Sequence, residues 1–150
     1  MIISAVLSAL HVLTLALGLG AVVIRGRALA RPLDEAGWRQ LLAADTAWGI
    51  AAGLWIATGL ARVLVGGKEP SFYWYNGFFW VKMGMFASVF ALEIVPMLTL
   101  VRWRAALGRG AAVDTSGAAL LARINTVEMV LVLLIPFAAA AMARGLWLFT

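Results

Sequence analysis

Four long apolar runs, separated by short charged segments, decide what this chain can become. They lie at roughly 2–24, 44–65, 78–101 and 124–146. Each is long enough to cross ~30 Å of hydrocarbon at ~1.5 Å per residue in helical form. In a bilayer, backbone N–H and C=O groups must be satisfied inside the protein, so such runs read as helices. The expected fold class is therefore all-α: an integral membrane four-helix bundle forming one transmembrane domain over residues 1–150. Composition agrees. Of 150 residues, 64% are hydrophobic and only 13% are charged, too few to coat a water-facing domain.

Several chemistries are excluded by what the chain lacks. It has no cysteine, which removes disulfides, thiolate chemistry, iron–sulfur ligation and cysteine zinc sites. It has one histidine, His11, so an all-imidazole metal site cannot form within one chain. The first run has no basic segment before it and passes straight into Arg25 and Arg27, like an anchor rather than a cleaved signal.

The connections between the runs set the expected topology. The first holds Arg25, Arg27, Arg31 and Arg39; its Asp34 and Glu35 could open a short helix with Trp38 and Leu41 on the membrane surface. The second is short and turn-rich, with Lys68, and its Phe72, Tyr73, Trp74 and Tyr75 suit an interfacial belt. The third holds Arg102, Arg104, Arg109 and Arg123 and reads as a mobile loop. Loops one and three share a side, so the positive-inside rule places them in the cytoplasm and both termini outside, in the periplasm. The expected location is the bacterial inner membrane, multi-pass. The net charge of +5 then reflects topology, and no nucleic-acid partner is expected; membrane lipid, a second copy or another membrane protein is.

Ionisable residues inside a span cost about 2.5–3.5 kcal/mol each on insertion scales, so they need a partner or a purpose. Helical spacing assigns each to a face. On the first helix Ser4, Ser8, His11, Leu15 and Gly18 share a stripe. On the second the stripe is Asp45, Gly49, Ala52, Ile56, Gly59 and Arg62. On the third it is Lys82, Met85, Val89, Glu93 and Pro96, and on the fourth Asn125, Glu128, Val132, Ile135 and Ala139. Turning all four stripes inward gives a bundle with bases (Arg62, Lys82) toward the outside, acids (Asp45, Glu93, Glu128) toward the inside, and His11 between.

Two readings follow. In one, Asp45, Glu93, Asn125 and Glu128 are hydrogen-bonding glue or a proton path. In the other, the outer half is a pocket for an anionic or redox ligand. His11 would then be its metal ligand or proton handler, and Arg62 and Lys82, with Arg144 as a further candidate, would meet carboxylates. A buried imidazole suits haem iron. Met83, Met85, Met97, Met129 and Met142 could supply a thioether, but methionine on a membrane helix is usually packing material.

The segments LHVLTLALGLGAVV, DTAWGIAAGLWIATGLARV, KEPSFYWYNGFFWVKMGMF and VPMLTLVRWR resemble a bacterial family of predicted membrane proteins of unknown function, the DUF 2214 type. The likeness spans nearly the whole chain. It is carried most by Asp45, Gly49, Gly59 and Arg62, and by Tyr75, Asn76, Phe79, Trp80 and Lys82. It implies a four-helix membrane protein and no established activity. Leu10–His11–Val12 and Trp80-x-Lys82 are also distantly similar to the HemJ-type protoporphyrinogen oxidases, four-helix membrane proteins that bind b-type haem. The chain departs from that pattern in having no second histidine. The resemblance implies haem b on His11. The open alternatives are a non-enzymatic interaction subunit or small transporter with a structural polar seam, and a porphyrin-oxidising enzyme.

Overall fold

The computed structural model describes residues 2–65 and 69–149, so Lys68 lies outside the described residues. The helices are α1 Ile2–Leu29, α2 Glu35–Val65, α3 Pro70–Trp74, α4 Gly77–Gly108 and α5 Ala118–Ala143. The fold is all-α, with one isolated β-bridge, Asn76 to Leu148. All except α3 are long and apolar enough to cross a membrane. They run up and down. One end of the bundle carries the two arginine-flanked turns, 30–34 and 109–117; the other carries the termini and the α2–α4 connection. α1 lies at the centre, packed along α2 and α5. α4 packs along α5, while α2 and α4 meet only over a short stretch. Large apolar side chains such as Leu17, Ile50, Phe90 and Phe137 point away from the bundle, where hydrocarbon would solvate them.

Helix bounds differ from the hydropathy runs. α1 continues through Arg25 and Arg27 to Leu29, so these arginines are helical and not part of a loop. α2 begins at Glu35, where Asp34 Oδ1 accepts the Gly37 N–H at 2.8 Å and so satisfies a free amide of the first turn. The expected surface helix is therefore the start of α2. Leu41 is fully buried, and Trp38 meets Trp103 edge-on with ring centroids 5.5 Å apart. They belong to an apolar cluster with Ala28, Leu29, Leu100 and Leu121. Burying this cluster outweighs laying two side chains on a lipid surface. α4 likewise carries Arg102 and Arg104 out to Gly108.

The third connection is the segment 109–117 between α4 and α5. Ser116 N–H donates to Asp114 Oδ1 at 2.9 Å, and this backbone hydrogen bond holds the Asp114 carboxyl below the usual carboxylate range. Val113 packs onto the apolar cluster.

α5 stops at Ala143 rather than 146, and the tail folds across the end of the bundle. Arg144 closes the helix as an exposed C-cap. Buried Asn76 is the anchor for the tail. Its Oδ1 accepts the Phe78 and Phe79 amides at 2.9 and 3.3 Å, capping α4, and its Nδ2 donates to Leu146 O at 3.2 Å. Gly77 N–H donates to Trp147 O, and Phe149 N–H to Tyr75 O. Trp147 has φ of 58°, a conformation rare for a bulky residue and fixed here by those bonds. Its indole lies directly over Gly77, where a Cβ would collide with the ring. Gly77→Ala should therefore lower the thermal midpoint in detergent, at an overpacking cost of about 1–3 kcal/mol. Gly84→Ala, which meets open space, should leave it unchanged or raise it. Tryptophan fluorescence on heating reads both.

Candidate functional site: a buried ion network and a basic cluster near His11

The inward stripe of α1 runs on past Gly18 to Val22 and Arg25. Arg25 is wholly buried, and its guanidinium is the meeting point of all four long helices. A guanidinium has five N–H donors, and each has a partner here. Nε donates to Asn125 Oδ1 at 2.8 Å. Nη1 donates to Asp45 Oδ1 at 3.3 Å and Glu93 Oε1 at 2.7 Å. Nη2 donates to Glu93 Oε2 and Glu128 Oε2, both at 2.7 Å. Glu93 is thus held by a bidentate fork, the strong geometry for such pairs. The four residues expected to form a polar network, Asp45, Glu93, Asn125 and Glu128, are brought together by a residue that hydropathy assigns to a loop.

The network extends through Asp45. Arg104 Nη2 donates to Asp45 Oδ2 and Thr46 Oγ1 at 2.9 Å, and to Leu42 O. This ties α4 to α2 where the two helices otherwise touch little. Asn125 Nδ2 donates to Val22 O at 2.8 Å and sits against Gly26, where a Cβ would strike it. The network lies between two apolar layers. Toward the arginine end is the cluster around Leu41, Leu100 and Trp103; toward mid-bundle are Ala21, Val22, Trp48, Val89 and Val132. Trp48 also places its ring 5.6 Å from Arg25 Cζ. Low-dielectric walls on both sides strengthen each ion pair and make an unpaired charge costly.

Near the opposite end, half-buried His11 bonds through Nδ1 to Thr58 Oγ1 at 2.9 Å and stacks on Trp55 at 5.6 Å. Its Cε1 reaches Gly59, where the missing side chain admits the ring. Trp55 in turn meets Phe86 of α4. The charges of Arg62 and Lys82 both act on the imidazole. Lys82 Nζ lies 5.4 Å from the Phe79 ring. Among the described residues neither Arg62 nor Lys82 forms an ion pair, because the intramembrane carboxylates are committed to Arg25 and Arg104.

Faces on α1, α4 and α5 match their stripes: Gly18, Val89, Pro96, Asn125, Glu128, Val132 and Ile135 are buried. α2 is turned by about one position. Its buried face is Leu41, Ala44, Trp48 and Ala51, while Gly49 and Ile56 point outward. Trp48 and Trp55 fill more of the interior than a glycine line could. Met142 is buried and Met129 packs on the core, whereas Met83 and Met97 face outward.

Residues 3–146 match the family described as Predicted membrane protein (DUF2214). The chain belongs to that family. No curated protein and no solved structure matches it. As a DUF2214 protein it is a membrane protein with four candidate spans, and the buried Arg25 network joins all four.

Arg25→Ala should cost about 3–5 kcal/mol, since it strands buried carboxylates without a counter-charge. Gly26→Ala should cost less, by displacing Asn125 alone. Thermal unfolding of the detergent-purified variants checks the order. A mild Arg25→Ala would mean that the network contributes little to stability.

Proposed function

We propose that this protein binds an anionic amphiphile in the outer half of the bacterial inner membrane. One observation carries the reading: near His11, Arg62 of α2 and Lys82 of α4 form no ion pair among the described residues, and these two helices meet only over a short stretch. Uncompensated cations inside a span are expensive unless something answers them. The ligand class has acidic oxygens for Arg62 and Lys82 and an apolar body that enters sideways between α2 and α4. Trp55, Phe79 and Phe86 supply aromatic walls for that body. His11, already oriented by Thr58, is the group placed to exchange a proton with such a ligand.

Haem b is a member of this class by its propionates. The cavity along α1 and α2, lined by Thr14, Gly18, Trp48, Ala51 and Trp55, measures about 10 Å³, room for about one water; His11, Arg62 and Lys82 do not line it, and no step is assigned to haem.

The purified protein should gain thermal stability from phosphatidylglycerol and not from phosphatidylcholine, and the gain should fall at least tenfold in Arg62→Gln/Lys82→Gln. An equal response to both lipids would overturn the reading. Visible spectra with and without dithionite test haem directly: a Soret band lost in His11→Ala would make the anion a haem.

The orientation belongs to the same proposal. Arg27, Arg31, Arg39, Arg102, Arg109 and Arg123 are exposed at the arginine end and favour the cytoplasm by the positive-inside rule. The chain has no cysteine, so single cysteines report cleanly. A membrane-impermeant maleimide should label Ser71→Cys in intact cells and leave Arg109→Cys unlabelled until the cells are lysed.

A further inference from the structure

The Arg25 network is one charge short of balance. Arg25 and Arg104 bring two positive charges to Asp45, Glu93 and Glu128. Asp45 is shared between both guanidiniums, and Glu93 and Glu128 compete for the same Nη2, each 2.7 Å from it. The remaining side chain in contact, Asn125, is neutral. With all five N–H groups of Arg25 engaged, nothing is left for the second oxygen of Glu128. That oxygen, Oε1, is buried and has no hydrogen-bond partner among the described residues. An ionised carboxylate with one oxygen stranded in an apolar interior is strongly disfavoured.

We propose that the network is a proton-binding site, in which Glu128 Oε1 carries one exchangeable proton and shares it with Glu93. Protonation restores charge balance and turns the stranded acceptor into a donor. Glu93 is the receiver. Its oxygens already lie beside Glu128 on the same guanidinium, and each keeps a lone pair after accepting from Arg25. Transfer breaks the Glu128 O–H bond and forms a Glu93 O–H bond, with Glu128 Oε1 taking back the electron pair. The two sites differ in access: Glu128 is fully enclosed, while Glu93 and Asp45 are 20% and 18% exposed. Exchange with the outside therefore passes through Glu93, on the α2–α4 side, and Asp45 with Arg104 sits at the exit. A metal ion is a weaker occupant. No group of three or more acidic or histidine residues among those described is arranged to hold one, since the oxygens are turned onto guanidinium nitrogens.

Infrared spectroscopy of the full chain in lipid nanodiscs tests this. The expected result at neutral pH is a C=O stretch of a protonated carboxyl that shifts in D2O and disappears in Glu128→Gln. Glu93→Gln should retain the band at a shifted frequency, because the proton keeps its home but loses its neighbour. Absence of the band in the wild-type protein would overturn the proposal, as would a band that survives unchanged in both variants. Thermal unfolding gives an independent check. If Glu128 is neutral, Glu128→Gln preserves the charge balance and leaves the midpoint within a few degrees of wild type. A midpoint as low as that of Arg25→Ala would mean that Glu128 is an ionised partner of Arg25. Specific stabilisation by Na⁺ or K⁺, with no carboxyl band, would assign the missing positive charge to a metal cation instead.

Discussion

A guanidinium with no access to water must have every N–H answered, and Arg25 obtains its answers from three other helices. This demand organises the bundle. In lipid there is no hydrophobic drive between apolar helices, because acyl chains are as good a neighbour as leucine. Something else must set depth, rotation and partner. Arg25 does so for α2 through Asp45, for α4 through Glu93 and for α5 through Asn125 and Glu128. Rotating any of these helices by one residue, about 100°, would carry its polar group out of reach and into hydrocarbon. The cost of that error makes the arrangement specific, whatever the net stability of the ion pairs themselves.

Small residues make the network possible. Gly26 leaves the space Asn125 occupies, where a Cβ would collide, and at Gly18 an added Cβ would just touch Trp48 and Ala51. α1 can therefore lie against both α2 and α5 closely enough for one side chain to touch all partners. The apolar layers above and below then exclude water from the cluster. Without those layers the same ion pairs would be solvated and weak; with them, each polar atom has to be satisfied by protein or by a proton.

Much of this was legible in the sequence, and the failures have physical causes. Length and hydropathy were enough for four spanning helices, because backbone desolvation leaves few other options. Helical spacing placed Glu93, Asn125 and Glu128 on the inward faces. Hydropathy ends a span at its first arginine, and with Arg27 beside it Arg25 reads as a loop charge, whereas α1 carries it inside the bundle. Extending the Ser4, Ser8, His11, Leu15, Gly18 stripe by its own spacing leads through Val22 to Arg25. Three acids in search of a base pointed the same way. The glycine line of α2 reads as a contact face, whereas in the fold Leu41, Ala44, Trp48 and Ala51 are the buried face. The tail bonded to Asn76 left no sequence signal, since residues some seventy positions apart meet there without any periodic pattern.

The distribution of charge along the bundle follows from where the arginines are. Once Arg25 sits inside the arginine-rich half, the intramembrane carboxylates are drawn to that half, and none remains to meet Arg62 and Lys82. The two ends are thus coupled by composition rather than by contact: an acid spent on Arg25 is an acid missing near His11. A carboxylate introduced on the outward-half stripe, such as Met85→Glu, would be expected to close this imbalance by pairing with Lys82. It would also compete with any anion held there. The buried network in the arginine-rich half holds three carboxylates against two guanidiniums, while near His11 two cations have no ion-pair partner among the described residues. Such a separation is unfavourable in hydrocarbon, and the proposed proton at one site and the proposed anion at the other would each relieve it.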